Sequence, residues 1–299
     1  MSEASPLQSL ITDFLDYLEL EKNVSPLTIR NYHHYLQRFG EFSKNINPSK
    51  IDLRLVRKYR LYLSQFIDPL NGQPLKRITQ NYFLIALRAF LRYLAQIDVQ
   101  TLTPDKIELG SQDTAPLKIL DENSLNRLLE APDTTKRDGL RDKAILELLF
   151  STGLLVSELA SLNRDQLNLK KQEFGIIGKG GKERSISLSS KAAAWLSRFL
   201  ATRLDNFQPL FIRYQGQEDS ADQGEKMRLT TRSIERVVEK YVKKLGLGIK
   251  ATPHTLRHSF ATNLLAKGAD IRSVSTMLGH ANTSTIQIYT HITNKNLKK

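Results

Sequence analysis

The 299-residue chain contains no cysteine, so disulfides, thiolate metal sites and cysteine nucleophiles are all excluded. It also has no apolar run near the roughly 20 residues that a membrane-spanning helix needs. Its first residues, MSEASPLQSL, lack the basic start of a signal peptide. A soluble, cytoplasmic protein is expected. Acidic residues are outnumbered: 44 Lys and Arg stand against 31 Asp and Glu, a net charge of +13 with an isoelectric point near 9.8. Such an excess points to a polyanionic partner, a membrane surface or a nucleic acid.

The distribution of charge says more than its sum. No basic residue precedes Lys22, whereas residues 23–97 hold twelve Lys or Arg against three acids. A charge run on one helix is usually only a solvated face. Here the bias recurs in three successive helices, which argues for a surface turned toward phosphates. The periodicity predicts helices over about 7–20, 27–42, 52–66 and 76–94. Ser25-Pro26 is a start signal for the second, with Ser as cap and Pro at the first helical position. Arg30, Arg38, Arg77 and Arg88 are the candidate DNA contacts of this half.

From about Asp98 to Pro116 the pattern lapses into DVQTLTPDKIELGSQDTAP, which reads as a linker. The expected division is a helical domain over 1–99, a linker over 100–116 and a second domain over 117–299. The second part opens with a helix capped by Asp121, then an apolar helix over 142–150. Two strand-like runs, 174–177 and 185–188, flank the glycine-rich GKGGKER of residues 178–184. Lys179, Lys182 and Arg184 lie in or beside that loop, where glycines let an ammonium swing into a groove. Residues 215–226 read as an exposed polar loop. A basic amphipathic helix over 229–245 follows, with Arg232 and Arg236 as candidate backbone contacts. From Lys226 onward there are fourteen basic residues and three acidic ones.

The most informative stretch is HTLRHSFATNLLAKGADIRSVSTMLGHANTSTIQIYTH, residues 254–291. His254 and Arg257 are three residues apart and share one face of a helix. His280 follows a second short helix, and Tyr289 comes nine residues later. Two histidines, an arginine and a tyrosine without a carboxylate fit a metal site poorly. They suit an oxygen nucleophile attacking a phosphodiester, with cationic donors gathering the charge that develops on phosphorus.

The elements H-T-L-R-H-S-F-A-T, L-G-H and I-Y-T-H, in this order and spacing, resemble the tyrosine recombinase (phage integrase) family, most closely its Xer branch. The stretch LEKNVSPLTIRNYHHYLQRF resembles the small core-binding domain of the same proteins. The resemblance implies a mainly α fold with a small β-sheet: an all-helical N-terminal domain that clamps DNA, and an α+β catalytic domain. It implies Tyr289 as the nucleophile forming a 3′-phosphotyrosyl link, with His254, Arg257 and His280 binding the scissile phosphate. Lys179 would be the general acid on the leaving 5′-oxygen, and Lys182 and Arg184 phosphate contacts. No metal or cofactor is implied; the partners would be a double-stranded recombination site and further copies of the chain, monomeric in solution and tetrameric on paired sites.

One position departs from the family. Residues 152–159, Thr-Gly-Leu-Leu-Val-Ser-Glu-Leu, match the motif T-G-L-R-x-S-E-L except at Leu155, the slot of the first catalytic arginine. A leucine offers a phosphate neither charge nor hydrogen bond, and Arg141 and Arg164 lie too far along the chain to realign. An impaired recombinase and a DNA-binding protein that has lost catalysis therefore both stay open. A type IB topoisomerase would use the same residues but has no feature of its own here.

Overall fold

The computed structural model of the chain describes residues 6–69, 71–110, 119–177, 183–217 and 221–279. Two compact units divide it, Met1–Ala115 and Pro116–Lys299.

The first unit contains α1 (Pro6–Leu20), α2 (Pro26–Ser43), α3 (Leu53–Gln65) and α4 (Arg77–Gln96). Local chemistry sets the starts. The Ser25 hydroxyl accepts from the Thr28 amide, and the Asp52 carboxylate accepts from the Leu55 amide at 2.7 Å; each such cap contributes about 1 kcal/mol. The inward faces form an aromatic-rich core around Phe14, Leu36, Phe39, Tyr59, Leu87 and Phe90. Ring centroids lie 5.6 Å apart for Phe14–Phe90 and 5.1 Å for Phe39–Tyr59, within the range where tilted aromatic pairs add to burial.

Beside the helices stands a two-residue antiparallel ladder, β1 (Ile67–Asp68) with β2 (Gln73–Pro74), closed through Gly72 at φ 65°. The stretch expected as a linker packs instead on this unit as far as Gly110. Ile107 is buried in the core, with Val99 and Leu102 against it. The Asn81 side chain exchanges two hydrogen bonds with the Gly110 backbone, and Arg60 donates to the Glu108 carbonyl. Apolar residues this sparse carry no period, so the sequence shows only the Pro and Gly between them.

The second unit contains α5 (Glu122–Glu130), α6 (Arg137–Thr152), α7 (Val156–Ser161), β3 (Leu167–Asn168), β4 (Glu173–Ile177), β5 (Glu183–Ser187), α8 (Ser190–Ala201), α9 (Thr231–Lys244), α10 (Pro253–Ala266) and α11 (Ile271–Leu278). The three strands form one antiparallel sheet in chain order, with Phe174 opposite Ile186 and Ile176 opposite Arg184. Helix α6 is the hub, packed against α5, α8, α9 and α10.

That position buries polar residues as well as apolar ones. Asp142, Lys143 and Glu147 are each at most 2 % exposed, and each is paired, as buried charges must be. Lys143 donates to the Leu129 carbonyl at 2.7 Å and lies 3.0 Å from Glu147. Asp142 accepts from Arg141 at 2.8 Å, Lys240 at 3.0 Å and the Tyr241 hydroxyl at 2.9 Å. Burial first, and the Asp142 charge second, push the Tyr241 phenol up to about 12.

Of residues 215–226, expected as an exposed polar loop, 218–220 lie outside the described residues, and the rest are only partly exposed. Asp222, Gln223 and Gly224 all have positive φ, and a β-carbon on Gly224 would overlap the Phe207 ring. The Gln223 carbonyl accepts from the Gln208 amide at 3.0 Å. Polar side chains hide a backbone that is pinned to an apolar cluster of Phe207, Ile212 and Met227. Among the described residues no helix is long and apolar enough to cross a membrane.

Asp142→Ala leaves Arg141 and the Tyr241 hydroxyl without their shared buried acceptor. It is expected to lower the unfolding free energy of this unit by about 3–5 kcal/mol. Urea denaturation followed by the fluorescence of the single tryptophan, Trp195, reads this directly; a loss under about 1 kcal/mol contradicts it.

Candidate active site and nucleic-acid interface

Helix α10 begins with Thr252 as cap, its hydroxyl accepting from the Thr255 amide, and Pro253 at the first position. This places His254 and Arg257 one turn apart near its start. The two side chains then diverge. His254 is exposed, whereas Arg257 is only 5 % exposed. The Arg257 Nη1 donates to the Gly153 carbonyl and its Nη2 to the Leu278 carbonyl, each at 2.6 Å.

Both acceptors sit at helix C-termini. Gly153 caps α6 and Leu278 ends α11, where carbonyls have no partner within the helix and the dipole is negative. A planar guanidinium satisfies the two at once, which an ammonium could not do with the same geometry. Gly153 has φ 62°, and a β-carbon there would overlap Phe260 and Leu278. Glycine is thus required by conformation and by space. The contact joins residues from three separated motifs: Gly153 beside Leu155, Arg257 beside His254, and Leu278 just before His280.

Leu155 caps α7 without a side-chain hydrogen bond; its amide donates instead to Glu158 Oε2 at 2.8 Å. The same carboxylate oxygen accepts from Arg184 Nη2 at 3.0 Å. Glu158 was not singled out from the sequence, although its place in the T-G-L-L-V-S-E-L motif marked it. Arg184 lies on β5 with its guanidinium against Gly279, where a β-carbon would overlap it. His258, next to Arg257, is half-buried. Burial, then the neighbouring His254 and Arg257, hold its pKa below the usual imidazole value, which favours the neutral ring. The His254 and His258 rings are 6.3 Å apart. His280, Tyr289, Lys179 and Lys182 lie outside the described residues.

Arg141 and Arg164 do not approach Leu155's role. Arg141 is committed to Asp142 and the Ile212 carbonyl, and Arg164 to the Asp205 carbonyl at 2.7 Å.

The other candidate DNA contacts separate by what already occupies them. Arg30, Arg77 and Arg236 are exposed and have no partner among the described residues. Arg54, Arg57 and Lys58 on α3, not singled out from the sequence, are exposed as well. Arg38 instead stacks on Phe66, its guanidinium carbon 3.9 Å from the ring centroid and 5.6 Å from that of Phe83. Arg88 and Arg92 share Asp105 at 3.3 and 3.6 Å. Arg232 faces Glu235 at 2.9 Å and Glu239 at 3.5 Å. Arg88, Arg92 and Arg232, paired with acids, add less to an electrostatic footprint than their count suggests.

Comparison with known proteins accounts for both units. The Phage integrase family pattern fits residues 118–296, and that of the Phage integrase N-terminal SAM-like domain fits residues 11–97. Tyrosine recombinase XerC of Thermodesulfovibrio yellowstonii is 38% identical over 301 residues, covering 97% of this chain and 94% of that protein. Tyrosine recombinase XerD of Lacticaseibacillus casei is 33% identical over 294 residues, covering 97% and 96%. The fold is similar to that of XerH site-specific recombinase bound to a palindromic difH substrate in a post-cleavage complex, with TM-score 0.70, 24% identity, and coverage of 100% of this chain and 89% of that one. With the helical first unit, the small sheet and the Arg257-centred junction all in place, the chain belongs to the phage integrase family of tyrosine recombinases, in its Xer-like branch.

Proposed function

We propose that this chain is a site-specific recombinase that cuts and rejoins duplex DNA through a phosphotyrosine. The Tyr289 oxygen attacks the scissile phosphorus, a new P–O bond to tyrosine forms, and the bond to the 5′-oxygen breaks. Lys179 gives that oxygen its proton. The incoming strand's 5′-hydroxyl then reverses the step, so the energy of the broken bond is retained in the protein link and no ATP or metal is needed. His254, Arg257 and His280 hold the non-bridging oxygens, where the charge grows in the transition state.

The observation that carries this reading is the buried Arg257. Its contacts with Gly153 and Leu278 gather into one place the segments that hold Leu155, His254 and the approach to His280. Leu155 favours a second reading, a DNA-binding and synapsis protein without catalysis. Both use the same cations: exposed Arg30, Arg77 and Arg236 meet the DNA backbone, Lys182 is a further phosphate contact, and the chain is a monomer that assembles into a tetramer on paired sites. Dimer resolution and the integration or excision of a mobile element would both use this chemistry.

The test starts from a duplex site selected by the protein from a random-sequence pool, then nicked to trap the adduct. The chain is expected to form covalent complex slowly on a denaturing gel. Leu155→Arg raises the rate by about a hundred- to a thousand-fold and leaves the dissociation constant within a few-fold. Equal rates for the two proteins contradict a deficit at Leu155. Tyr289→Phe in the Leu155→Arg background abolishes the adduct; an adduct that persists rules out Tyr289 as nucleophile.

Binding has its own expectation. Replacing both Arg30 and Arg77 by Gln lowers the slope of log affinity against log salt by about 1.8, near 0.9 per lost phosphate contact. A band-shift series over salt with an unchanged slope removes the first unit's basic face from the interface.

A further inference from the structure

Arg184 stands on the wrong side of its strand for an ordinary surface cation. Alternate residues of a strand share a face, and Ile186 and Leu188, two and four residues on, are both 5 % exposed. The Arg184 side chain is itself only 17 % exposed. Turning a guanidinium inward costs desolvation that one partner rarely offsets unless its other donors are satisfied too. Of its five N–H groups, only one, on Nη2, finds an acceptor among the described residues, Glu158. Nε is buried with no acceptor.

The position of the guanidinium gives its unmet donors a purpose. Two guanidinium groups bridge the same pair of segments. Arg257 joins Gly153 to Leu278; Arg184 joins Glu158 to the turn at Gly279, on which its Nη1 side rests. Leu155 lies in the chain between Gly153 and Glu158, and its amide shares the very carboxylate oxygen that holds Arg184. A second fixed guanidinium is therefore present beside the position where an arginine is missing. Its Glu158 partner is stabilised independently by the N-terminus of α7, and the Nη1 N–H groups, which have no acceptor among the described residues, remain available for a phosphate oxygen.

We propose that Arg184 supplies part of the charge that position 155 no longer gives the scissile phosphate, so that the slow cleavage this chain retains depends on it. This rests on the phosphotyrosine reading above. The two are separable because Arg184's role appears as a dependence on residue 155 and on the charge of the phosphate.

The experiment measures covalent-complex formation on the nicked selected site for four proteins: the unchanged chain, Arg184→Gln, Leu155→Arg, and both changes together. Each is assayed on a normal phosphate and on a methylphosphonate, which has no anionic non-bridging oxygen. Arg184→Gln is expected to slow adduct formation roughly a hundredfold on phosphate, with the site dissociation constant within a few-fold. In the Leu155→Arg background the same change costs less than about tenfold, and on methylphosphonate it costs little in either background. Arg184→Lys restores part of the rate, and Trp195 fluorescence in urea checks folding.

An Arg184→Gln protein as fast as the unchanged chain overturns the proposal, as does an equal loss in both backgrounds and on both linkages, the mark of a purely structural role. So does an unchanged chain that forms no adduct while Leu155→Arg does. If none of the four proteins forms an adduct although all bind the site, the phosphotyrosine chemistry itself fails, and the Arg184 role with it.

Discussion

A single buried guanidinium holds the second unit's motifs in register. The C-termini of α6 and α11 each leave carbonyls that no residue of the same helix can satisfy, and Gly153 and Leu278 at these ends are buried. Arg257 answers both at 2.6 Å. The arrangement is rigid because each participant is over-determined: Gly153 and Gly279 are in the left-handed conformation, α10 is fixed by its Thr252–Pro253 start, and the fork geometry of arginine admits few alternatives. A cation so held is organised in advance, which is the condition under which the transition-state stabilisation proposed for it would be effective.

The positive charge of the chain does several different jobs. Some of it is internal bracing. Arg203 is buried and bonded to Asp205 and to the Pro209 and Leu210 carbonyls; Lys143 lies inside α6's packing; Arg228 ties Glu225 to the Ala160 and Leu162 carbonyls. Some is stacked on aromatic rings, as Arg38 is. Among the described residues, what is left for a polyanion includes the exposed, unpaired cations on α2, α3, α4 and α9. Net charge measures none of this partition, because a paired guanidinium and a free one count the same in a sum while their fields at a distance differ greatly.

Leu155 and Arg184 show how a motif position and a chemical role can come apart. The backbone of the T-G-L-L-V-S-E-L segment is kept: Gly153 ends one helix, Glu158 caps the next, and the Leu155 amide donates normally. Only the side chain is changed. The surroundings retain the carboxylate and the glycine against which a guanidinium packs, and one from a neighbouring strand is there.

The helices were legible in the sequence wherever an apolar period met a capping residue, as at Ser25-Pro26 and Asp121, since both signals act within a few residues of chain. The family, its two-part plan and the membership of His254 and Arg257 in one helical turn were legible for the same reason: motif spacing is local information. The fold alone decided the rest. It set Arg257 inward and His254 outward although they share a turn, brought Gly153 and Leu278, 125 residues apart in the chain, to one guanidinium, folded residues 99–110 onto the first unit, and separated Arg88 and Arg232, which have acidic partners, from Arg30, Arg77 and Arg236, which have none among the described residues. These outcomes depend on desolvation and on hydrogen bonds between distant segments, and neither is set by the residues next to each position.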